Sequence, residues 1–405
     1  MFRNCEKLTS FSCDMSFLTS GSGMFANCSN IATFEGDLSS LESGGQMFYK
    51  CSNLTSFDCK KMISLKTGDN MFYECEKLVS FTSDLSSLTN GSYMFYKCSS
   101  IDDFNIDIRY ITNGSHMFDG CSKLTSFKCP KLSLLTNGLA MFLHCYTLST
   151  FKCSDLSSLT NGLQMFSGCN NLMSFDTNLN SLENGQSMFS SCFNLSAFDV
   201  ILSSVTNGLF MFASCSNLSS FKSNLSSLND GSYMFHNCSS LTSFKSDLSS
   251  LTNGSSMFNQ CKLDALSVKN IIDTINTVET GEITLGMGCD SNTTDKDLFA
   301  QEVGYTDMST LLQTLQSKGW TVSAQFNGRP SSTFSLRKPE SLPVYAKLIE
   351  VSLTDEDSFY EYTSQDGSKF YNLDWFHETT GSTDGYTQFN SLEESISSWN
   401  IIPKE

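Results

Sequence analysis

The sequence Met-Phe-x-x-Cys recurs twelve times in this 405-residue chain, and successive copies are 23 residues apart, or 24 in three places. The methionines are Met1, Met24, Met47, Met71, Met94, Met117, Met141, Met165, Met188, Met211, Met234 and Met257. A fixed period of this size is typical of a solenoid, in which one structural unit stacks on the next. We therefore expect residues 1–267 to form one elongated array. Its repeated surface favours binding over catalysis.

One repeat, residues 238–261, predicts the structure of all of them. Residues 242–246 alternate around an inward Phe244 and indicate a strand. Residues 248–251 suggest a second extended piece, and 252–254 (Thr-Asn-Gly) a turn in which glycine tolerates positive φ. Met257, Phe258 and Cys261 are spaced to share one side of a short helical turn. Because no unit can bury its apolar side alone, stacking should build a continuous core and a parallel sheet.

The twelve repeat cysteines share one register, so we expect a column of buried free thiols, with disulfides between stacked neighbours as the alternative. Four further cysteines lie two residues after the strand phenylalanine, namely Cys13, Cys59, Cys129 and Cys153. We interpret them as inward packing; the alternative is a disulfide or metal site between Cys129 and Cys153. An Asp or Asn before the second apolar column is expected to accept hydrogen bonds from turn amides.

The repeat Leu-x-Ser-Phe … Leu-Ser-Ser-Leu-Thr-Asn-Gly-x-x-Met-Phe-x-x-Cys-x-x-Leu resembles the BspA-like leucine-rich repeats. The resemblance covers residues 1 to about 267. It implies an α/β solenoid, a right-handed leucine-rich-repeat-like array with a parallel sheet, and display on a surface, commonly in adhesion. Similar arrays occur in surface and virion proteins of gut bacteria and their phages. The family is defined by scaffold columns, so no functional residue carries over from it.

The position just after the strand phenylalanine should face outward along the sheet. Its charged residues fall in like-signed pairs along the array, and they form the candidate ligand face. These residues are Glu35, Asp58, Lys128, Lys152, Asp176, Asp199, Lys222 and Lys245. Like charges opposite each other are mildly destabilising on a sheet, so retaining them is consistent with a ligand role. The alternative is a solvated polar face with opposite-sign contacts where the pairs meet.

Tyrosines near the Met-Phe ladder line a different edge, where they either contact a partner or are scattered surface residues. They are Tyr49, Tyr73, Tyr93, Tyr96 and Tyr233.

Composition excludes several other classes of function. A net charge of −17 argues against nucleic acid, which requires a basic stripe. No apolar run approaches the ~18 residues of a membrane span. The four histidines show no ligand spacing and no nucleophile–base arrangement stands out, so we predict no catalytic residue, no metal site and no cofactor.

The end of the chain departs from the repeat. Residues 268–328 are expected to cap the array, with helices at 268–278 and near 295–318 and strands at 282–287 and 320–326. The acidic segment 290–297 is interpreted as helix capping rather than a calcium loop. Residues 329–343 form a linker by composition. Residues 344–405 form a small acidic, aromatic-rich α+β module, with strands near 360–364, 369–373 and 386–389 and a helix at 392–399.

These features predict a non-enzymatic binding or adhesion protein that presents its repeat surface to a protein or glycan ligand on a host cell. Its sharpest form is a phage virion or tail-associated protein; the alternatives are a bacterial cell-surface adhesin and a purely structural spacer. The expected location is extracellular, on a cell surface or on a virion. The C-terminal module is expected to dock on a partner or to self-associate. Because the chain opens inside a repeat, we expect the natural protein to extend upstream.

Overall fold

The computed structural model describes residues 1–59 and 61–328, together with the backbone of three strands between 347 and 372. The chain forms two compact units, Met1–Pro330 and Ser331–Glu405. The repeats and the region that follows them therefore belong to one unit, in which a parallel-stranded solenoid is built from the Met-Phe-x-x-Cys repeats.

Short parallel strands lie where the sequence predicts them, and each contains the strand phenylalanine of its repeat. They are β1 (Ser10–Asp14), β2 (Thr33–Asp37), β3 (Ser56–Asp58), β4 (Asp103–Asn105), β5 (Ser126–Lys128), β6 (Thr150–Lys152), β7 (Ala197–Phe198), β8 (Ser220–Phe221) and β9 (Ser243–Phe244). They pair in sequence order as three separate three-stranded sheets. The predicted sheet is confirmed, but it is interrupted after β3 and after β6.

The predicted helical turn around Met-Phe-x-x-Cys is wrong, because the segment is a series of linked tight turns. The residue before each Met and the residue before each Cys adopt positive φ, as at Tyr93 (56°) and Lys97 (54°). Amides alternate between their own turn and the next unit: Met94 N donates to Gly91 O (3.0 Å), and Phe95 N donates to Met117 O (2.9 Å). Bonds between units replace the i to i−4 bonds of a helix.

The extended piece predicted at 248–251 is a turn in the structure, and the turn predicted at 252–254 contains an extended residue that pairs with the neighbouring unit. Leu251 N donates to Leu248 O (3.0 Å), which closes a tight turn, whereas Asn253 forms a parallel bridge with Asp230. Equivalent bridges run from Ser20 through the array as a second ladder.

The repeated glycine adopts no positive φ at this place; a side chain there would collide with the methionine of the next unit. At Gly138 a Cβ would lie 2.8 Å from Met165 Sδ. Close packing, not turn geometry, explains this glycine.

Two phenylalanine ladders fill the core, one from the strands and one from the Met-Phe dipeptides. Within each ladder the rings are stacked, and between the ladders they meet edge to face, as in Phe118–Phe142 (5.4 Å) and Phe127–Phe142 (4.8 Å). Both arrangements are favoured by the aromatic quadrupole. The core is therefore repetitive along the whole array.

No disulfide joins the cysteines of the described residues, and only Cys5 and Cys13 are exposed. In the repeat column each buried thiol donates to a phenylalanine carbonyl of the preceding unit, as Cys98 does to Phe72 (3.1 Å). The predicted buried thiol column is confirmed for every repeat cysteine except Cys5. Cys59, Cys129 and Cys153 pack inward as expected, but the same prediction is wrong for Cys13, which is exposed. The Asp or Asn before the second apolar column accepts from an amide two residues on, as in Ser249 N to Asp247 (2.9 Å), which confirms its structural role.

The region after the repeats continues the stack with longer elements. They are α1 (Ala265–Thr274), β10 (Gly281–Met287), α2 (Thr293–Gln301), α3 (Met308–Ser317) and β11 (Trp320–Phe326). β10 pairs in parallel with β11, and bridges from Gly254 to Ile283 and from Leu263 to Met287 attach it to the last repeat. Asn292 caps α2, so segment 290–297 caps a helix as predicted.

In the second unit, β12 (Lys347–Ser352), β13 (Ser358–Thr363) and β14 (Lys369–Asn372) form one antiparallel sheet. The two strands predicted near 360–364 and 369–373 are therefore confirmed, and β12 was not predicted. The predicted linker at 329–343, the strand at 386–389 and the helix at 392–399 lie outside the described residues.

Candidate functional site

The predicted ligand face lies along the strand side of the solenoid. Glu35 is in β2, and Asp58, Lys128 and Lys152 end β3, β5 and β6. The remaining positions follow a strand phenylalanine in later units: Asp176, Asp199, Lys222 and Lys245. Glu35, Lys152 and the four later residues are exposed. The structure therefore places these residues at one repeated position along the strand side, and their binding role stays a prediction.

Lys128 and Lys152 are direct register partners on β5 and β6. Lys128 is half-buried, and its Nζ lies 3.9 Å from Asp103 Oδ1. Within the described part of the chain, no ion pair or side-chain hydrogen bond joins Lys152, Asp176, Asp199, Lys222 or Lys245 to another residue. The opposite-sign contacts considered from the sequence are thus not formed where the pairs meet.

The sheet is interrupted beside Lys152. Among the described residues, no backbone hydrogen bond joins Ser174, Phe175 or Asp176 to either neighbouring unit. The peptide groups of this segment are therefore not used in the ladder. On the surface of a protein, unpaired N–H and C=O groups are available to water or to a ligand.

Two successive repeats carry their extra residue next to this interruption, in the loops after β5 and β6. Ser154 links the loops by donating its Oγ to the carbonyl of Pro130 (2.6 Å), and Cys129 N donates to Lys152 O (3.1 Å). The loops are thereby held together and form one rim of a surface depression.

This depression, which we call the sheet cleft, has a volume of about 550 Å³. It is lined by Cys129, Pro130, Ser149, Thr150, Phe151, Lys152, Cys153, Ser154, Ser174 and Asp176. Its volume is within the range of ligand sites, but its lining is richer in hydroxyl groups than is usual for drug-like ligands. Phe151 is only 7% exposed, so a ligand here would be held by hydrogen bonds and charge rather than by ring stacking.

The charged groups of the sheet cleft are available for binding, whereas its thiols are unreactive. Lys152 and Asp176 present an ammonium group and a carboxylate from adjacent units, and neither has a charged partner in the described chain. Burial raises the pKa of the Cys153 thiol to about 11 and also raises that of Cys129. Both thiols are therefore protonated near neutral pH and are poor nucleophiles.

A second surface, the tyrosine ladder, lies on the turn side and consists of Tyr49, Tyr73 and Tyr96. Tyr73 stacks on Tyr49 (4.8 Å between ring centroids) and on Tyr96 (4.5 Å). The interpretation of these tyrosines as scattered residues is therefore wrong. Because the two neighbouring rings cover both faces of Tyr73, the ladder does not offer that ring for stacking with a sugar.

Ion pairs fix the edge of the tyrosine ladder. The Glu74 carboxylate lies 3.5 Å from the Nζ of Lys50 and 3.9 Å from the Nζ of Lys97. These lysines also lie over the rings of Tyr49 and Tyr96, at 5.5 and 5.2 Å from the centroids. Burial, and then the neighbouring Glu74, raise the pKa of Tyr73 to about 12. Comparing the columns of successive repeats would have revealed this ladder in the sequence.

Two histidines of adjacent units contact the same carboxylate. The spacing of histidines within one repeat did not predict this cluster, because it forms between repeats. Asp119 is 7% exposed and lies 2.9 Å from His116 Nδ1 and 3.4 Å from His144 Nδ1. Among the described residues, no group of three or more His, Cys, Asp or Glu side chains has the geometry of a metal site. None of the described helices has the length and apolar character needed to cross a membrane.

Comparison with solved structures returns proteins of low sequence identity to this chain. A leucine-rich repeat protein from Bacteroides ovatus ATCC 8483 is 18% identical, with 76% of this chain and 87% of that chain covered and a TM-score of 0.30. A leucine-rich cell surface protein from Faecalibacterium prausnitzii A2-165 is 15% identical, with coverage of 74% and 80% and a TM-score of 0.35. An internalin from Listeria monocytogenes is 11% identical, with coverage of 80% and 82% and a TM-score of 0.29.

Likenesses this weak carry no information about ligands. No curated protein matches the chain. The family model for the BspA type leucine rich repeat region, in contrast, matches residues 1–90, 89–208 and 166–278, which together make up more than two thirds of the chain. Members of this family are typically surface or binding proteins. The strand positions, the buried thiol column and the family match agree, and the chain belongs to the BspA-type leucine-rich repeat family.

Proposed function

We propose that this chain is a non-enzymatic recognition protein that binds a polar ligand on a cell surface, through the sheet cleft. The observation that carries the proposal is the pair formed by Lys152 and Asp176. These two side chains are exposed and oppositely charged and have no ion pair within the described residues. Asp176 belongs to the segment whose peptide groups are outside the sheet ladder, and Lys152 lies on the strand next to that segment. An isolated charge stabilises nothing in the fold, whereas charged hydrogen bonds to a ligand are among the strongest polar contacts.

The lining of the sheet cleft favours a hydroxyl-rich or charged ligand, either a glycan or a polar protein segment. Ser149, Thr150, Ser154 and Ser174 provide hydroxyl groups around the charged pair. Ser149 and Ser154 already donate to the carbonyls of Thr125 and Pro130, so their hydroxyl oxygens can only accept from a ligand. The hydroxyls of Thr150 and Ser174 can both donate and accept, as sugar hydroxyls do. The protonated thiols of Cys129 and Cys153 supply no nucleophile, which supports binding rather than covalent chemistry.

The setting that we propose is the surface of a phage particle, as a virion or tail-associated protein that contacts the host cell. A bacterial cell-surface adhesin would use the same cleft. The family provides the support for surface display in general, and the choice between these two settings depends on neighbouring genes: virion genes favour the first, whereas a secretion anchor favours the second.

The test is binding of the purified chain to a glycan array and to a panel of intact bacterial cells, for the wild type and for Lys152→Glu and Asp176→Lys. We expect each reversal to weaken binding at least tenfold, because charged hydrogen bonds contribute about 1.5–3 kcal/mol and 1.4 kcal/mol is a factor of ten. Binding at wild-type strength in both variants would remove the sheet cleft from consideration.

Glu35→Lys is the matched control. Glu35 occupies the same outward column, is exposed and lies in β2, away from the sheet cleft. This reversal changes the net charge by the same amount as Asp176→Lys but should leave binding intact. Equal loss in the control and the cleft variants would indicate a general charge effect.

A further inference from the structure

The exposed charges beyond the sheet cleft form an ordered pattern, which we call the charge stripe: Asp176, Asp199, Lys222 and Lys245. They occupy the same position in four successive units, in the order Asp, Asp, Lys, Lys. All four are exposed, and none has an ion pair or side-chain hydrogen bond within the described residues. Neighbouring like charges are mildly unfavourable within one chain, so the stripe gives its own solenoid no electrostatic benefit.

The pattern is self-complementary. Read in the opposite direction, Asp-Asp-Lys-Lys becomes Lys-Lys-Asp-Asp, so a two-fold axis between Asp199 and Lys222 sets each charge opposite its counterion. Asp199 of one copy then faces Lys222 of the other, and Asp176 faces Lys245, which gives four pairs in total. Such a contact is isologous, the commonest arrangement in homodimers. We propose that the charge stripe docks onto the same stripe of a second copy of this chain, with the two solenoids antiparallel.

The surface around the charge stripe allows two copies to approach. The residues before the strand phenylalanine are small in all four units: Ser174, Ala197, Ser220 and Ser243. Every repeat from Met165 to Met257 is 23 residues long, so no insertion loop projects among them.

The curvature of the stack also permits the contact. In these units the strand phenylalanines are 6.1, 5.9 and 5.7 Å apart, whereas the Met-Phe phenylalanines are 5.4–5.5 Å apart. The strand side is therefore spaced at least as widely as the turn side. This ring spacing is what a strand face that is not concave would show, and such a face leaves room for a second solenoid.

A second axis, between Lys152 and Asp176, would also pair opposite charges. It is less favourable, because the loops at Pro130 and Ser154 flank it and Lys128 already lies near Asp103. The proposed dimer identifies a partner for the same face as the proposed function, but it requires no ligand. It can therefore fail while ligand binding at the sheet cleft holds, and the reverse is equally possible.

The experiment is sedimentation velocity of the full chain, without ligand, over a range of concentrations at low salt and at about 1 M salt, where the Debye length is roughly 3 Å. Exposed ion pairs are individually weak, so we expect reversible dimers at low salt that dissociate at high salt. Two variants test the pairing. The first is a double variant that makes the stripe entirely acidic, with Lys222→Asp and Lys245→Asp. The second is a double variant that makes it entirely basic, with Asp176→Lys and Asp199→Lys.

Each variant alone should dimerise at least tenfold more weakly than the wild type, and an equimolar mixture of the two should recover dimerisation as a heterodimer. Lys7→Asp/Lys123→Asp, which changes exposed lysines away from the stripe, controls for net charge and should dimerise like the wild type. Circular dichroism melting of each variant checks that it is folded. A monomeric wild type at low salt, dimers of the acidic variant alone, or no heterodimer in the mixture would each overturn the proposal.

Discussion

At the residue scale, the repeat cysteine is a compact apolar side chain with a weak donor. Eleven of the twelve repeat cysteines are buried, and each of these thiols has a phenylalanine carbonyl as its acceptor, as in Cys121 to Phe95 (3.2 Å). Burial raises the pKa of these thiols, to about 12 for Cys51 and Cys215. The column is therefore neutral in the folded protein well above neutral pH.

This pKa shift predicts alkaline instability. A cysteine thiol in the unfolded chain ionises near its ordinary pKa of 9.0, whereas the folded thiol stays protonated, so stability is fully present below pH 9 and is lost as the pH rises towards 12. Each thiol contributes a slope of about 1.4 kcal/mol per pH unit between the two pKa values. We expect the free energy of unfolding in urea to fall steeply above pH 9.

Lysines and tyrosines also titrate in this range, so a control is needed. Replacing Cys98, Cys121 and Cys145 with Ala should make the fall with pH shallower in proportion to the thiols removed, even though it lowers stability at neutral pH by creating cavities. If the free energy of unfolding of the wild type is unchanged up to pH 10, the thiols have the same pKa in the folded and unfolded chain, which would contradict the prediction.

At the element scale, a column of asparagine side-chain amides runs along the second ladder of backbone bridges. Asn161 Nδ2 donates to Asn137 Oδ1 (3.1 Å), and Asn161 Oδ1 accepts from Leu163 N (3.2 Å) and from Asn184 Nδ2 (3.3 Å). Each amide therefore joins three successive units as well as its own turn. Hydrogen-bonded rows of this kind stiffen the stack between elements that are each too short to be stable alone.

We predict that Asn161→Ala destabilises the array by about 1–3 kcal/mol, because it leaves neighbouring donors and acceptors without partners. The measurement is urea unfolding followed by circular dichroism. Asn171→Ala is the matched control: Asn171 is exposed, and its side chain accepts a single bond of 3.4 Å from Asn194. The control should change stability by less than about 0.5 kcal/mol; a similar loss in both variants would contradict a special role for the ladder.

Repeat columns predicted which residues are inside, but not the backbone between the strands. Met257, Phe258 and Cys261 share one side of either a helical turn or two linked turns, so their spacing does not distinguish these structures. The deciding feature is positive φ at varied residues such as Tyr93 and Ala140, which residue type does not reveal. Hydrogen bonds to the next unit stabilise this conformation. The sheet cleft depends on an interruption of the ladder that no single repeat encodes.

At the scale of the whole molecule, the repeat array either binds the ligand itself or serves only as a structural spacer. The core is nearly uniform along the array, whereas the sheet cleft is confined to the two units with insertions after β5 and β6 and the strand segment of the unit that follows them. Removing whole repeats keeps the stacking register, since each unit contacts only its neighbours. Deleting two repeats that contain the cleft, or two repeats outside it, therefore distinguishes ligand binding by the array from a spacer role.

The most direct test compares deletion of residues 117–164 with deletion of residues 188–233, each two complete repeats. The measurement is the affinity of each protein for the glycans or cells that bind the intact chain, with circular dichroism to confirm folding. We predict that the first deletion, which removes Lys152 and most of the cleft lining, abolishes binding, whereas the second leaves it within a few-fold of the intact protein. Equal binding by both shortened proteins would contradict recognition by the sheet cleft and would favour a spacer.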